Sequence, residues 1–89
     1  MEVLFLDQAW EDYLFWQHQD KKILKKINNI LKDIDRHPFE GIGSPEPLKH
    51  DLKGYWSRRI TLEHRLVCLQ NIDKQAAELY SLFTISFND

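Results

Sequence analysis

The sequence predicts an α+β fold, in which a two-helix hairpin packs on one face of a small, mainly antiparallel sheet in the order β-α-α-β-β-β. Residues 8–34 carry apolar side chains at helical spacing, whereas residues 53–87 contain three strand-like segments with short turns between them. The 89 residues, 43% of them hydrophobic, suffice for a single domain over residues 1–89 with a thin core.

The first strand and the first helix are expected within the first twenty residues. Residues 2–6 form an apolar run long enough for a short buried strand. Asp7 then has the side chain of a helix N-cap, and Glu11 and Asp12 lie near the first turn, where the helix dipole favours acids. Apolar and aromatic residues follow at helical spacing, so we predict a helix over residues 8–18.

The second helix has the strongest pattern in the chain. Asp20 is its predicted N-cap, and Pro38 ends it, because proline disfavours the helical conformation of the residue before it. An apolar stripe recurs at intervals of three and four residues and consists of Ile23, Leu24, Ile27, Ile30, Leu31 and Ile34. Lysines occupy much of the remaining surface. The very short connection between the two helices makes them antiparallel neighbours.

A loop and three strands complete the predicted fold. Residues 38–48 contain all three prolines and two of the three glycines, which indicates an irregular but stiffened loop. Strands are then expected in three segments, over about residues 53–60, 64–70 and 77–87. Short turns near residues 61–63 and 71–75 would join these strands into an antiparallel meander.

The net charge of −2 is unevenly distributed along the chain. Residues 1–20 carry five acids and no Lys or Arg, residues 21–66 carry eleven Lys or Arg against six acids, and residues 67–89 carry one Lys against three acids. Such blocks are most often solvated faces. A basic middle segment is also what a phosphate-binding surface requires, because phosphate responds to the local potential and not to the net charge.

The sequence gives no sign of secretion or membrane insertion. Cys68 is the single cysteine, so no internal disulfide can form and a reducing compartment is expected. The N-terminal apolar run has neither a basic leader nor a cleavage-type site, and no segment approaches the length of a membrane span. We therefore expect a cytoplasmic protein without membrane contacts.

No metal or other cofactor is expected. The four histidines, at positions 18, 37, 50 and 64, lack the spacing of metal ligands, and Cys68 has no partner. Gly41 and Gly43 are not in the strand-to-helix context of a phosphate-binding loop. Any chemistry would therefore depend on side chains alone.

The side chains that could carry out catalysis without a metal or cofactor lie between residues 46 and 65. Glu46 is one candidate, and it stands between Pro45 and Pro47, which hold its backbone semi-rigid. Composition alone favours a solvated loop acid instead. Lys49 and His50 follow closely and are either phosphate contacts or an ordinary basic loop edge.

Three arginines lie on the predicted hairpin, at positions 58, 59 and 65. A three-residue loop over 61–63 would set Arg59 opposite Arg65 with both side chains on one face, whereas a two-residue loop would turn them to opposite faces. The guanidinium fork suits phosphate, and two facing arginines repel each other unless an anion or acid joins them. The residues by themselves indicate a phosphate-binding face and no more.

Four segments of the sequence form a distinctive combination. They are Trp10-x-Asp12-Tyr13-x-x-Trp16-Gln17, the basic Ile-rich helix, Pro38-Phe39-x-Gly41-x-Gly43-x-Pro45-Glu46-Pro47-Leu48-Lys49, and Trp56-Ser57-Arg58-Arg59-Ile60-x-x-x-His64-Arg65-Leu66-Val67. Together they closely resemble the YoeB (Txe) toxins of the RelE/ParE superfamily, over about residues 1–67 and without a gap.

The resemblance implies the toxin of a type II toxin–antitoxin system, an endoribonuclease that enters the ribosomal A site and cleaves messenger RNA there. Its implied partners are a cognate antitoxin, the ribosome and mRNA, and a homodimer is among the assemblies that it allows. At the matching positions, Glu46 would be the general base and Arg65 would stabilise the charge of the phosphorane. The supporting substrate contacts would be Lys49, His50, Arg58 and Arg59.

The C-terminal segment departs from the family pattern, and the similarity falls away beyond Val67. Family members end on an aromatic-His-Tyr sequence, whose His serves as the general acid and whose Tyr orients the RNA. This chain ends Leu82-Phe83-Thr84-Ile85-Ser86-Phe87-Asn88-Asp89 and has no histidine after His64. Three interpretations follow: an attenuated ribonuclease, a catalytically inactive member that only binds antitoxin or ribosome, and a ParE-like gyrase poison, which the intact Glu46 and Arg65 disfavour.

Overall fold

The computed structural model describes residues 1–71 and 73–82, and it has two helices packed on a five-stranded mixed sheet. The helices are α1 (Asp7–Gln19) and α2 (Lys21–Arg36). The strands are β1 (Glu2–Phe5), β2 (Glu46–Pro47), β3 (Tyr55–Arg59), β4 (Arg65–Asn71) and β5 (Ala76–Ser81). The sheet order is β1-β5-β4-β3-β2, with β1 parallel to β5 and all other neighbours antiparallel. The predicted α+β class is confirmed, with the two-residue β2 as an additional strand inside the predicted loop.

The helix hairpin begins one residue earlier than expected. Leu6 is the N-cap of α1 and makes no side-chain cap, so the prediction that Asp7 caps this helix is wrong. Asp7 lies instead in the first turn, where its charge still favours the helix dipole. The second cap is confirmed, because the Asp20 carboxylate accepts hydrogen bonds from the backbone N–H groups of Lys22 (2.9 Å) and Ile23 (3.2 Å).

The apolar stripe of α2 forms the centre of the core. Ile27, Ile30 and Ile34 are at most 1% exposed. They belong to one cluster with buried side chains of the sheet, which include Ile60, Leu66, Cys68, Ala77 and Leu79. The helix ends at Arg36 and His37 lies outside it, which confirms the end predicted from Pro38. Its opposite side is left to solvent, as expected for an amphipathic helix.

The β3–β4 hairpin has the register on which the arginine arrangement depends. The Ile60 N–H donates to the His64 carbonyl at 2.9 Å, so that residues 61–63 form the loop. Arg59 is paired with Arg65, which confirms the three-residue alternative. Because side chains alternate along a strand, the residues next to these arginines point toward the helices.

The described end of β5 is fastened to α1. The indole N–H of Trp16 donates to the Leu82 carbonyl at 2.9 Å, and the buried carboxylate of Asp12 accepts from the Leu82 N–H at 2.9 Å. Asp12 therefore does more than favour the helix dipole. The predicted strand over residues 77–87 is observed up to Ser81, and its last part, from residue 83, lies outside the described residues.

Candidate active site

Glu46 and Arg65 lie on the face of the sheet that points away from the helices. Glu46 of β2 is paired with Ser57 of β3, and Arg65 of β4 is paired with Arg59 of β3. Ser57 and Arg59 are two residues apart on one strand and so share a face. The pairing therefore brings together three of the predicted site residues, and Ser57 with them.

Glu46 and Arg65 form an ion pair within this group. Arg65 Nη1 lies 3.7 Å from Glu46 Oε2, and it also donates to Ser57 Oγ at 3.2 Å. The Glu46 side chain is 59% exposed and that of Arg65 is 29% exposed. A pair so open to water contributes little stability, because solvent screens its attraction. Both groups remain accessible to a substrate.

Arg59 places a second positive charge opposite Arg65. Its side chain is exposed and, within residues 1–71 and 73–82, makes no hydrogen bond or ion pair. Two guanidinium groups thus share this face with the Glu46 carboxylate, which is ion-paired to Arg65. The surplus of positive charge at this point suits a phosphate group, which would relieve the repulsion between the arginines.

Lys49 and His50 are in the loop between β2 and β3. A hydrogen bond of 2.9 Å from the Leu48 N–H to the Tyr55 carbonyl closes this loop. Both side chains are exposed, and the facing arginines lie at the other end of β3. A role of these two residues in substrate binding therefore requires an RNA strand that extends along the sheet, and it stays a prediction.

Arg58 is buried, and the prediction that it contacts substrate is wrong. Its side chain points from β3 toward the helices and is 1% exposed. The guanidinium lies 2.6 Å from the Asp33 carboxylate of α2, and it donates to the backbone carbonyls of His37, Glu40 and Ile42. These partners occupy it fully. We call this arrangement of Arg58, Asp33 and the three carbonyls the Arg58 clamp.

The Arg58 clamp fixes the path of the loop that leads to Glu46. Asp33 Oδ2 also accepts from the Ile42 N–H at 3.0 Å. The loop passes so close that a Cβ at Gly41, where φ is +111°, would lie 2.0 Å from the same oxygen. The chain then reaches β2, so the partly buried ion pair of Arg58 and Asp33, on the other side of the sheet, helps to position Glu46.

Asp33 and Cys68, near the clamp, have displaced pKa values. Burial raises the pKa of Asp33, but hydrogen bonds from Arg58 and the Ile42 N–H, with the charges of Arg58 and His37, outweigh it and hold this pKa below its ordinary value. Burial raises the pKa of the Cys68 thiol to about 11, against the charge of Arg58. Cys68 is therefore unsuited to act as a nucleophile. In the described part of the chain, no three His, Cys, Asp or Glu side chains are grouped as a metal site requires.

Two residues of this region were not predicted from the sequence. Ser57 precedes Arg59 by two residues, and the period of a strand could have placed it beside the arginines. Asp33 had no such signal. It interrupts the basic surface of α2 as an ordinary helix residue, and its partner Arg58 is 25 residues away in the chain.

The family of the chain follows from a comparison with known proteins. A family model described as a YoeB-like toxin of bacterial type II toxin–antitoxin systems matches residues 5–80. The chain belongs to this family. Toxin YoeB of Escherichia coli O6:H1 (strain CFT073) is 63% identical over 67 residues, which cover 75% of this chain and 80% of that protein. Toxin YoeB of Synechocystis sp. is 60% identical over 67 residues, which cover 75% of this chain and 78% of that protein.

Solved structures extend the similarity of this YoeB-like chain beyond Val67. A YoeB/ParE toxin from Agrobacterium tumefaciens superposes with a TM-score of 0.92 at 42% identity, covering 97% of this chain and 100% of that one. A YoeB dimer from Staphylococcus aureus superposes with a TM-score of 0.89 at 46% identity, covering 97% of this chain and 98% of that one. YafQ of E. coli, at 19% identity and a TM-score of 0.71, shares the fold. No helix in the described part of this chain is long and apolar enough to cross a membrane.

Proposed function

We propose that this toxin is a ribosome-dependent endoribonuclease that cleaves messenger RNA in the ribosomal A site, in the cytoplasm. The observation that supports this proposal most directly is the partly exposed ion pair of Glu46 and Arg65, 3.7 Å apart on the face of the sheet away from the helices. A carboxylate beside a guanidinium, with Arg59 opposite, supplies a proton acceptor and positive charge where a phosphate can enter.

The proposed reaction uses the 2′-hydroxyl of the RNA as the nucleophile. Glu46 accepts the proton of this hydroxyl, and the 2′-oxygen attacks the adjacent phosphorus. Arg65 and Arg59 stabilise the negative charge that develops on the phosphoryl oxygens. The bond to the 5′-oxygen then breaks and leaves a 2′,3′-cyclic phosphate. Correct positioning of the RNA by the ribosome must supply much of the rate.

The third requirement, a proton for the departing 5′-oxygen, is where this chain differs from the family pattern. No histidine follows His64 in the sequence. A positioned general acid contributes roughly 10²–10⁴-fold, so a chain that takes this proton from water cleaves slowly. We therefore propose an attenuated ribonuclease.

The proposed regulator is a cognate antitoxin. The family is one of toxin–antitoxin systems, and a heterotetrameric YoeB–YefM complex from S. aureus contains a toxin that is 46% identical to this chain with a TM-score of 0.88. We propose that an acidic antitoxin segment covers Arg59 and Arg65 and folds on contact. The S. aureus YoeB dimer makes a homodimer the proposed state of the free chain.

A cleavage assay tests the catalytic proposal. Ribosomes programmed with a defined mRNA and a vacant A site are incubated with the native chain and with Glu46→Gln and Arg65→Ala, and the products are mapped by primer extension. Glu11→Gln on α1 and Lys74→Ala in the β4–β5 turn are the matched controls, since both residues are exposed. We expect A-site cleavage by the native chain and both controls, and none by the two site variants. Cleavage by Glu46→Gln or Arg65→Ala at the native rate contradicts the assigned roles.

The second candidate function, a catalytically inactive member that only binds antitoxin or ribosome, is favoured by the missing histidine. A chimera separates the two candidates. Leu82 is fully buried and bonded to α1, so the replacement begins after it and substitutes residues 83–89 with a tail ending in aromatic-His-Tyr. We expect at least tenfold faster cleavage by the chimera. No cleavage by the native chain, together with antitoxin binding, supports the inactive candidate, whereas equal rates of the two chains place the acid elsewhere.

Arginine modification tests the antitoxin proposal. Phenylglyoxal labelling followed by peptide mapping compares the chain alone with the chain co-expressed with its genomic neighbour. We expect Arg59 and Arg65 to be labelled in the free chain and protected in the complex. Arg36, exposed on the helix layer, is the internal control that stays labelled. Equal labelling of Arg59 and Arg65 in both samples contradicts the proposed interface.

A further inference from the structure

The outer side of α2 carries positive charge that the proposed active site does not use. Four lysines and one arginine on this side are exposed: Lys21, Lys22, Lys25, Lys32 and Arg36. Positions 22, 25, 32 and 36 are separated by intervals that keep them on one side of a helix, and the gap is filled by the neutral, exposed Asn29. The helix has 16 residues and is about 24 Å long. We call these five cations the α2 basic face.

The acids of this helix do not neutralise the α2 basic face. Asp33 is bound to Arg58 at 2.6 Å, and Asp35 lies 3.6 Å from the amino group of Met1. Asp20, just before the helix, accepts from backbone N–H groups. Within residues 1–71 and 73–82, none of the five cations has a side-chain hydrogen bond or an ion pair. The positive charge of this face is therefore available to a partner.

The α2 basic face and the active site lie on opposite sides of the molecule. The buried stripe of Ile27, Ile30 and Ile34 joins α2 to the sheet, so the basic face points away from it. The ion pair of Glu46 and Arg65 is on the far face of the same sheet. The helix layer and the sheet thus separate the two surfaces, and a nucleotide held at Glu46 cannot also contact α2.

The chemistry of the α2 basic face favours a double-helical RNA over other polyanions. None of the large exposed apolar side chains belongs to α2, so the face lacks both the stacking platform that single-stranded RNA needs and the apolar anchor of a protein interface. The apolar side of α2 is already in the core, which leaves nothing to insert into a lipid surface. Lysines at intervals along a rod match the phosphates along a duplex.

We propose that the α2 basic face binds the phosphate backbone of double-helical RNA and anchors the chain while Glu46 and Arg65 engage a separate single strand. The choice of RNA rests on the proposed function, because a ribosome presents folded RNA around the messenger. The anchor requires no base-specific contact, since lysines hold phosphates as point charges. It would raise the time that the toxin spends on the ribosome without taking part in the chemistry.

Salt-dependent binding tests this anchor. Fluorescence anisotropy measures binding of an RNA duplex of about 16 base pairs, the span of a common duplex-binding module, and of a single strand of the same length. Lys25→Gln/Lys32→Gln is compared with Lys53→Gln/Lys74→Gln, which removes the same charge at exposed positions outside α2. The logarithm of the association constant falls as log salt rises. We expect the α2 variant to make this negative slope shallower by about 2, or about 1 per lost phosphate contact. The control should keep the native slope.

Several results would overturn the anchor, and they are distinct from failure of the proposed cleavage. Equal losses in the two double variants show that only net charge matters. Tighter binding to the single strand, or to vesicles containing phosphatidylserine, shows a different partner. Glu46→Gln should abolish cleavage and leave duplex binding unchanged. If the native chain binds the duplex through α2 but cleaves no mRNA, the proposed ribonuclease activity is wrong and the proposed anchor stands. If the native chain cleaves mRNA but its duplex binding does not depend on α2, the proposed anchor is wrong and the ribonuclease activity stands.

Discussion

Arg58 and Arg59 are neighbours on β3, yet they belong to two regions with opposite properties. Arg58 is 1% exposed and has a carboxylate and three carbonyls as partners. Arg59 is exposed, faces Arg65 and has no hydrogen-bond or ion-pair partner among residues 1–71 and 73–82. The Arg58 guanidinium is surrounded by protein acceptors, whereas Arg59 has none among the described residues. A guanidinium without a protein acceptor is available to an anion.

Residue type alone does not separate the buried, structural arginine from the exposed one. Alternation along the strand sends one side chain into the core and the next to the open face. A buried guanidinium must find acceptors in the protein, because an unpaired charge in the interior is very costly. An exposed one is satisfied by water until a phosphate replaces the water. The supply of partners, and not the motif, assigns the role.

The largest expected effect on the free energy of unfolding comes from a substitution in the Arg58 clamp. Arg58→Met should lower the free energy of unfolding by about 3–5 kcal/mol, because it leaves the Asp33 carboxylate and three carbonyls without their donor. Arg59→Met is the matched control and should change it by less than about 0.5 kcal/mol, as usual for surface substitutions. Denaturant unfolding followed by tryptophan fluorescence measures both. Equal losses in the two variants would remove the distinction between the two regions.

A substitution of Asp33 is expected to lower the free energy of unfolding by a smaller amount that depends on pH. Its pKa is lowered in the folded state, so its contribution is complete above the unfolded pKa of about 3.9 and is lost as the pH falls through the folded value. Asp33→Asn should therefore be less stable than the native chain at neutral pH, by about 1.5–3 kcal/mol for a lost charged hydrogen bond. The difference should shrink as the pH falls from the unfolded pKa toward the lowered folded one. Thermal unfolding from neutral pH to about pH 2.5 checks this.

The control for that titration is Asp35→Asn. Asp35 is 55% exposed and 3.6 Å from the Met1 amino group, so its loss should be small at every pH. A stability difference for Asp33→Asn that stays constant down to the lowest pH would show that shape, and not charge, joins Asp33 to Arg58.

The smallest effect is expected at the candidate active site. Glu46→Gln and Arg65→Ala should each change the free energy of unfolding by less than about 0.5–1 kcal/mol, because an ion pair this exposed contributes little. Calorimetry on the same samples used for the cleavage assay gives the measurement. A loss as large as that of Arg58→Met would make Glu46 and Arg65 packing residues, and the contrast between the two regions would disappear.

Local patterns were sufficient for much of the fold. The stripe of α2 and its Asp20 cap were predicted correctly because both depend on residues within one or two turns. The facing pair of Arg59 and Arg65 was predicted once the loop length was assumed, since register follows from the hairpin turn. The fold also continues through β5, although sequence resemblance to the family had weakened beyond Val67. The apolar strand pattern of the predicted segment 77–87 was sufficient to predict a strand there.

Contacts between distant segments account for the errors. Asp7 was expected to cap α1, but Leu6 occupies that position, and local propensity does not fix a helix boundary to the residue. The two-residue β2 exists because it pairs with β3, and nothing within Glu46–Pro47 announces a strand. The parallel pairing of β1 with β5 joins segments more than seventy residues apart. Sequence patterns do not contain this information.

The sequence by itself determined the candidates for a phosphate site: Glu46 between two prolines, and Arg58, Arg59 and Arg65 on a hairpin whose loop length it left open. Only the tertiary structure decided that Arg58 does not join them, because its role depends on Asp33 and on loop carbonyls 16 to 25 residues away. Alternation along a strand is a local property of the backbone and can be read from the chain. The partner that a buried charge finds is a property of the assembled core.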